Sequence, residues 1–158
     1  MPDRATSDLV MVPSHADVTG GCLCGAVRFV ARDVAAKTGI CHCPQCQKWT
    51  GGALVEVSVP EPQVDWQGET IALYASSDWA ERAFCSRCGS GLYFRMTDAN
   101  SDWAGAYDIP LGLFDHPTAF TLSHEIYSDH AIVPIADQGQ ARLTRADCVA
   151  KFPKLDEG

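Results

Sequence analysis

The sequence predicts a mainly β fold, and three observations carry that prediction. Short runs of alternating, β-branched or aromatic residues recur along the chain and are punctuated by Gly and Pro. Only two stretches carry helical signals, the few residues after Pro44 and the run from Thr144 to Phe152. Seven of the eight cysteines fall into tight groups: Cys22-Leu23-Cys24, then Cys41-His42-Cys43-Pro44-Gln45-Cys46, then Cys85-Ser86-Arg87-Cys88. Such groups tie chain ends together around a metal where a small core does not suffice.

The elements follow in order. At 158 residues and 46% apolar, the chain suits one domain. Residues 1–17 are polar and contain proline, and read as a loose N-terminal arm; 18–158 read as a single zinc-binding domain. Strands are expected at 25–30, 53–59, 70–74, 80–84, 91–96 and 121–127, with turns at Pro60, Pro62, Gly68 and Pro110. Pro44 suits the first position of a short helix running to Trp49, which Thr50-Gly51-Gly52 ends. Cys43 then falls at its N-cap and Cys46 in its first turn, where unpaired N–H groups favour thiolate. The second helix starts near Thr144 or Asp147, and Cys148 within it reads as an ordinary buried residue.

Charge excludes some functions. Lys and Arg number 12 against 20 Asp and Glu, a formal charge of −8, and the basic residues are dispersed. A nucleic-acid binder needs a basic face to displace counterions, so no nucleic-acid partner is expected. No apolar run approaches the roughly 20 residues that cross a bilayer, and no membrane partner is expected. The N-terminal residues lack the apolar stretch of a secretory signal, which points to a reducing, cytoplasmic compartment. There the cysteines are not kept as disulfides, and metal binding leads. A redox CxxC would need a βαβ setting that the chain does not show.

Zinc takes four tetrahedral thiolate or imidazole ligands, and a CxxC turn supplies two of them at once. Seven clustered thiols divide as four plus three: a filled structural site, and an open one that leaves a position for water or substrate. Spacing alone does not fix which cysteines pair. Cys41, Cys43 and Cys46, within six residues and at a helix start, are the better candidates for the open, reactive site. The pairs Cys22/Cys24 and Cys85/Cys88 could together close the four-thiolate site.

Three blocks in this order resemble the glutathione-dependent formaldehyde-activating enzyme family, which includes centromere protein V. They are Gly20-Gly21-Cys22-Leu23-Cys24-Gly25-Ala26-Val27-Arg28-Phe29, the stretch from Cys41 to Gly52, and Phe84-Cys85-Ser86-Arg87-Cys88-Gly89. Gly112-Leu113-Phe114-Asp115-His116-Pro117 is similar to the family's Gly-x-x-Asp-x-Pro stretch. The resemblance implies an Mss4-like twisted β-sheet zinc fold with short helices. It implies two zinc ions, a structural one on Cys22, Cys24, Cys85 and Cys88 and a catalytic one on Cys41, Cys43 and Cys46. The activity it implies is that of a carbon–sulfur lyase or synthase, joining glutathione and formaldehyde as S-(hydroxymethyl)glutathione. Gln47 stands where many members carry a basic residue.

Gln47, Lys48 and Trp49, just past the triplet, are the candidates for holding the small-molecule thiol. Lys48 could meet a glutathione carboxylate and Trp49 could line a pocket. His42 alternates with Cys41 and Cys43, so an extended segment points it away from the metal and suits it to proton transfer or to supporting a ligand. His116, His124 and His130 are further candidates for a fourth ligand or acid–base group. The alternative from another class is a non-catalytic zinc module that binds a protein partner. The sequence sets no oligomeric state.

Overall fold

The computed structural model describes residues 15–132 and 144–151. Among these the order is β1 (His15–Gly21), β2 (Arg28–Ala35), β3 (Lys37–Cys41), α1 (Pro44–Thr50), β4 (Leu54–Pro60), β5 (Val64–Gln67), β6 (Ile71–Ser77), β7 (Ala80–Cys85), β8 (Gly91–Met96), β9 (Ala106–Pro110), β10 (Thr121–Ile126) and α2 (Arg145–Lys151). The mainly β expectation is borne out. No helix among the described residues is long and apolar enough to cross a membrane.

The strands form two sheets. One is three-stranded, in the order β1-β2-β5; the other is seven-stranded, β10-β3-β4-β9-β8-β7-β6. All pairs are antiparallel except β10 with β3. Between the sheets lies the main core, where Phe29 and Ala31 of the first, with Val27 just before β2, face Val57, Val59, Ala83, Leu92 and Ile109 of the second. Aromatic rings lace it: Phe29 stands 5.0 Å from Trp66 and 5.2 Å from Phe114, and Tyr93 stands 4.5 Å from Tyr107. These are the separations at which tilted and edge-on rings attract.

Because side chains alternate along a strand, β4 has two distinct faces. Val57 and Val59 enter the main core, while Leu54, Glu56 and Ser58 point the other way. Leu54 joins a second, smaller cluster with Cys41 and Cys46, packed by Cys43 and Trp49. The seven-stranded sheet therefore separates an apolar core from a cysteine-bearing face, and α1 lies on that second face.

Four strands, β1, β3, β5 and β9, have no counterpart in the sequence expectation. β1 begins at His15, ahead of residue 18, while residues 1–14 lie outside the described residues. The strand expected at 25–30 runs instead from Arg28 to Ala35. Gly25 adopts a left-handed φ of 76° and the Cys22 N–H donates to the Val27 carbonyl, so these residues make the turn that closes the cysteine pair. α1 is capped as expected, with Cys43 at the N-cap and Gly51 left-handed at the C-terminus. The expected second helix is present to Lys151, and Phe152 lies outside the described residues.

Asp115, of the Gly-x-x-Asp-x-Pro stretch, fastens the loop before β10 to the smaller sheet. Its carboxylate accepts two bonds from Arg28, at 3.0 and 2.6 Å, and one from the Thr19 hydroxyl at 2.5 Å. These bonds, the Arg28 guanidinium foremost, hold Asp115 at about 2, below its ordinary value of 3.8. A depressed carboxyl stabilises the fold fully above its unfolded value, and that contribution is lost as pH falls through about 2. Both partners are over a third exposed, so screening limits the effect to about 1 kcal/mol. Asp115→Asn is expected to lower the urea midpoint at pH 7, and the gap from the unsubstituted protein closes at pH 2. A gap that persists in acid would assign the loss to packing rather than charge.

Candidate metal centre

The first sulfur group forms where two glycine-ended turns meet. β1 ends at Gly21, and the following residues turn so that the Gly25 N–H donates to the Cys22 carbonyl at 3.0 Å. β7 ends at Cys85, and the Gly89 N–H donates to the Cys85 carbonyl at 2.8 Å. Both glycines are left-handed, φ 76° and 78°, which lets each chain double back right after its second cysteine. Leu23 binds the far turn, its N–H donating to the Ser90 hydroxyl at 3.1 Å.

The sulfurs of Cys22, Cys24, Cys85 and Cys88 all lie within 4.8 Å of one another. Cys22 and Cys24 stand 3.6 Å apart, and Cys24 and Cys85 stand 3.9 Å apart. A tetrahedral zinc with arms of about 2.3 Å sets its sulfurs about 3.8 Å apart, so this donor set fits the ion. Neighbours support ionised sulfur at two of the four, while Cys24, close to the other three sulfurs, is pushed up to about 11. The Ser90 hydroxyl, with backbone N–H groups, holds Cys88 at about 5, and Thr70 pulls Cys85 down. The Val27 N–H donates to the Cys22 sulfur at 3.3 Å.

The second group is Cys41, Cys43 and Cys46, again within 4.8 Å. Cys41 is the last residue of β3, Cys43 is the N-cap of α1, and Cys46 is buried in its first turn. The Cys46 N–H donates to the Cys43 sulfur at 3.4 Å. Burial works against ionising Cys43, but that N–H and the neighbouring thiols bring it down overall. Burial and then the charge of Cys41 push Cys46 up, with Arg82 opposing. The donors are three soft sulfurs at zinc-ligand spacing, so a thiophilic ion fits here too, and binding it would release protons.

Residues that sequence reasoning missed surround this group. Arg82, on β7, is 4% exposed; its guanidinium lies 4.7 Å from the Trp49 ring and 5.0 Å from the Phe94 ring. Its Nη2 is 3.8 Å from the Cys46 sulfur, and its Nη1 has no partner. Glu56 is buried on the same sheet face, with Oε2 unpartnered, and burial followed by the charge of Asp108 pushes it up to about 7. A signal for Glu56 was present: Val-Glu-Val-Ser-Val alternates, so as a strand it puts Glu56 on one face with Ser58, and with Leu54 before it. Arg82 sits three residues before Cys85 and carried no comparable mark.

The sequence profile of a family described as "Glutathione-dependent formaldehyde-activating enzyme" matches residues 17–130. The chain belongs to that family. A Schizosaccharomyces pombe protein named an uncharacterized lyase is 34% identical over 84 residues, covering 53% of this chain and 61% of that protein. This family member thus spans less than two thirds of that relative. A solved Rhodobacter sphaeroides protein superposes with a TM-score of 0.50 at 19% identity, over 61% of this chain and 87% of that one, a likeness of fold.

The remaining candidates are placed as follows. Gln47 donates its amide hydrogens to the His42 carbonyl at 2.7 Å and the His130 carbonyl at 2.8 Å, strapping α1 to the segment after β10. Lys48 is exposed, and Trp49 is half-buried beneath Arg82. His42 is buried and points away from the sulfurs, its Nε2 3.7 Å from Glu125. None of His42, His116, His124 or His130 joins either sulfur group, and Cys148 lies on α2 apart from both.

Proposed function

We propose that this chain is a zinc-dependent carbon–sulfur lyase that makes or breaks the adduct of a small thiol with an aldehyde. By its family the pair is glutathione and formaldehyde, joined as S-(hydroxymethyl)glutathione, in a reducing cytoplasm. The observation that supports this most is the contrast between the two sulfur groups, four donors in one and three in the other. Four thiolates fill a tetrahedral ion and leave it structural; three keep one position for substrate. Cys22, Cys24, Cys85 and Cys88 are then the structural ligands, and Cys41, Cys43 and Cys46 the catalytic ones.

Cys41, Cys43 and Cys46 would hold a zinc ion, which would favour a substrate thiolate at neutral pH and could polarise the aldehyde oxygen. The chain's own residues do the rest. The Cys46 N–H favours the ionised form of the Cys43 sulfur, and Arg82 sets a cation against Cys46. Lys48, exposed on α1, suits a glutathione carboxylate, and Trp49 forms an apolar wall. Gln47 spends its N–H groups on two carbonyls, so it orders the segment around the site and offers substrate only its oxygen.

Metal analysis combined with a glutathione titration tests this reading. Two zinc ions per chain are expected, one for each sulfur group, with one labile to mild chelation and a saturable response to glutathione. One tightly held ion and no response would replace the enzyme with a non-catalytic module for a protein partner.

A further inference from the structure

On the cysteine-bearing face, three strands bring an acid and an imidazole together over a glycine. Gly39 of β3 pairs with Glu56 of β4 on one side and His124 of β10 on the other. A Cβ at Gly39 would stand 2.7 Å from Glu56 Oε1 and 2.6 Å from His124 Nε2, so the two side chains meet in the space that glycine leaves. Their heteroatoms are no farther apart than those two lengths together, a span that one oxygen of water or substrate bridges with two hydrogen bonds.

The tautomer of His124 follows from its other contacts. The Ser123 hydroxyl donates to the Thr38 carbonyl at 3.0 Å, so its lone pair faces His124 Nδ1 at 2.8 Å. Nδ1 therefore carries a hydrogen, and the ring turns Nε2 toward Glu56. Glu56 is buried and its Oε2 unpartnered, whereas His124 is exposed on the edge strand. An inner proton site is thus joined to an outer one.

The cysteines lie on this same face. Cys41 is two residues from Gly39 and pairs with Leu54, which is two from Glu56. Diagonal neighbours of this kind are about 7–8 Å apart across the sheet, which sets Glu56 and Cys41 side by side on one face. The groups that face Glu56 are Cys41 on β3, Ser58 on its own strand, Asp108 on β9 and His124 on β10, with Arg82 of β7 beyond Asp108 in the same row. His42 and Glu125 lie on the opposite face.

We propose that Glu56 is the proton carrier for thiol–carbonyl addition at the Cys41, Cys43 and Cys46 site, with His124 as its outlet to solvent. This rests on the lyase reading above. In the synthetic direction the thiol S–H proton passes to the Glu56 carboxylate. The sulfur electron pair forms the S–C bond while the carbonyl π pair moves to oxygen. That oxygen takes the proton back from Glu56, giving the hydroxymethyl thioether and regenerating the carboxylate. Cleavage is the reverse, and His124 exchanges the proton with water when the substrate thiol arrives already ionised. A carboxyl that ionises at about 7 suits both directions near neutral pH.

The test uses the zinc-loaded full chain with glutathione and formaldehyde. Glu56→Gln is expected to lower kcat by about 100-fold or more, with little change in KM, and to remove the rise of kcat with pH through about 7. Glu56→Asp restores part of the rate, and added imidazole restores part of the loss in His124→Ala. A Glu56→Gln variant with unchanged kcat and pH profile overturns the assignment while leaving the lyase reading intact. No thiol-dependent aldehyde consumption by the unsubstituted protein overturns the lyase reading itself, and the assignment with it. If Glu56→Gln does not fold, infrared titration of the unsubstituted protein decides. A carboxylic-acid band that disappears near neutral pH and shifts in His124→Asn is expected; its absence overturns the assignment.

Discussion

Cys43→Ser is expected to abolish thiol-dependent turnover and leave the domain folded, whereas Cys85→Ser is expected to unfold it. The two cysteines have different neighbours. Cys85 is fully buried at the end of β7, belongs to the main core, and its group ties the end of β1 to the turn between β7 and β8. Structural zinc sites contribute apparent free energies of about 10–16 kcal/mol in small peptides, comparable to the roughly 5–15 kcal/mol that a whole domain has to spare. With a structural ion held by these four cysteines, as proposed, losing one ligand would remove a large share of the stability. Cys43 is half-buried, and its backbone role is to cap α1. Serine is among the best N-cap residues, so the helix start survives and only a sulfur is lost. Thermal melts by circular dichroism, metal content and turnover, measured on both variants, make the comparison. If Cys43→Ser melts as early as Cys85→Ser, the division of ligands into structural and catalytic is wrong.

The sequence made parts of this architecture legible and hid others for physical reasons. The cysteine groups could be read because ligands from one turn must be close in sequence. β8 was found because Gly-Leu-Tyr-Phe-Arg-Met is apolar and bounded by turn residues. β3 was missed because Lys-Thr-Gly-Ile-Cys contains a glycine and runs straight into the ligand segment, yet that glycine is what lets Glu56 and His124 meet. β9 holds an aspartate and ends in proline, both poor strand formers, and owes its place to pairing with β4 on one side and β8 on the other. Arg82 is hidden for a related reason. Its local sequence, Ala-Glu-Arg-Ala-Phe, reads as a strand with two charges, and only the sheet order shows which of them is buried.

Arg82 also supports the second large prediction. A guanidinium at 4% exposure is costly unless something anionic accompanies it, and among the described residues no carboxylate forms a salt bridge with it. Its nearest ionisable neighbour among the cysteines is the sulfur of Cys46, at 3.8 Å. While Cys46 is a thiol, which its burial favours, the cation is uncompensated; three thiolates around a divalent ion carry a net charge near −1 and compensate it. Two charges this close attract by about 4 kcal/mol at an effective dielectric constant of 20, an upper figure equivalent to nearly three powers of ten in affinity. Arg82→Met keeps the apolar packing between Trp49 and Phe94 and removes the charge. It is expected to weaken metal retention at Cys41, Cys43 and Cys46 by about 100-fold or more, measured by chelator competition. It is also expected to raise the urea midpoint of the metal-stripped protein, because a buried charge without a partner has been removed. The opposite signs identify electrostatics: a substitution that merely damaged packing would lower both. Unchanged metal affinity would show that the sulfur group needs no cation beside it.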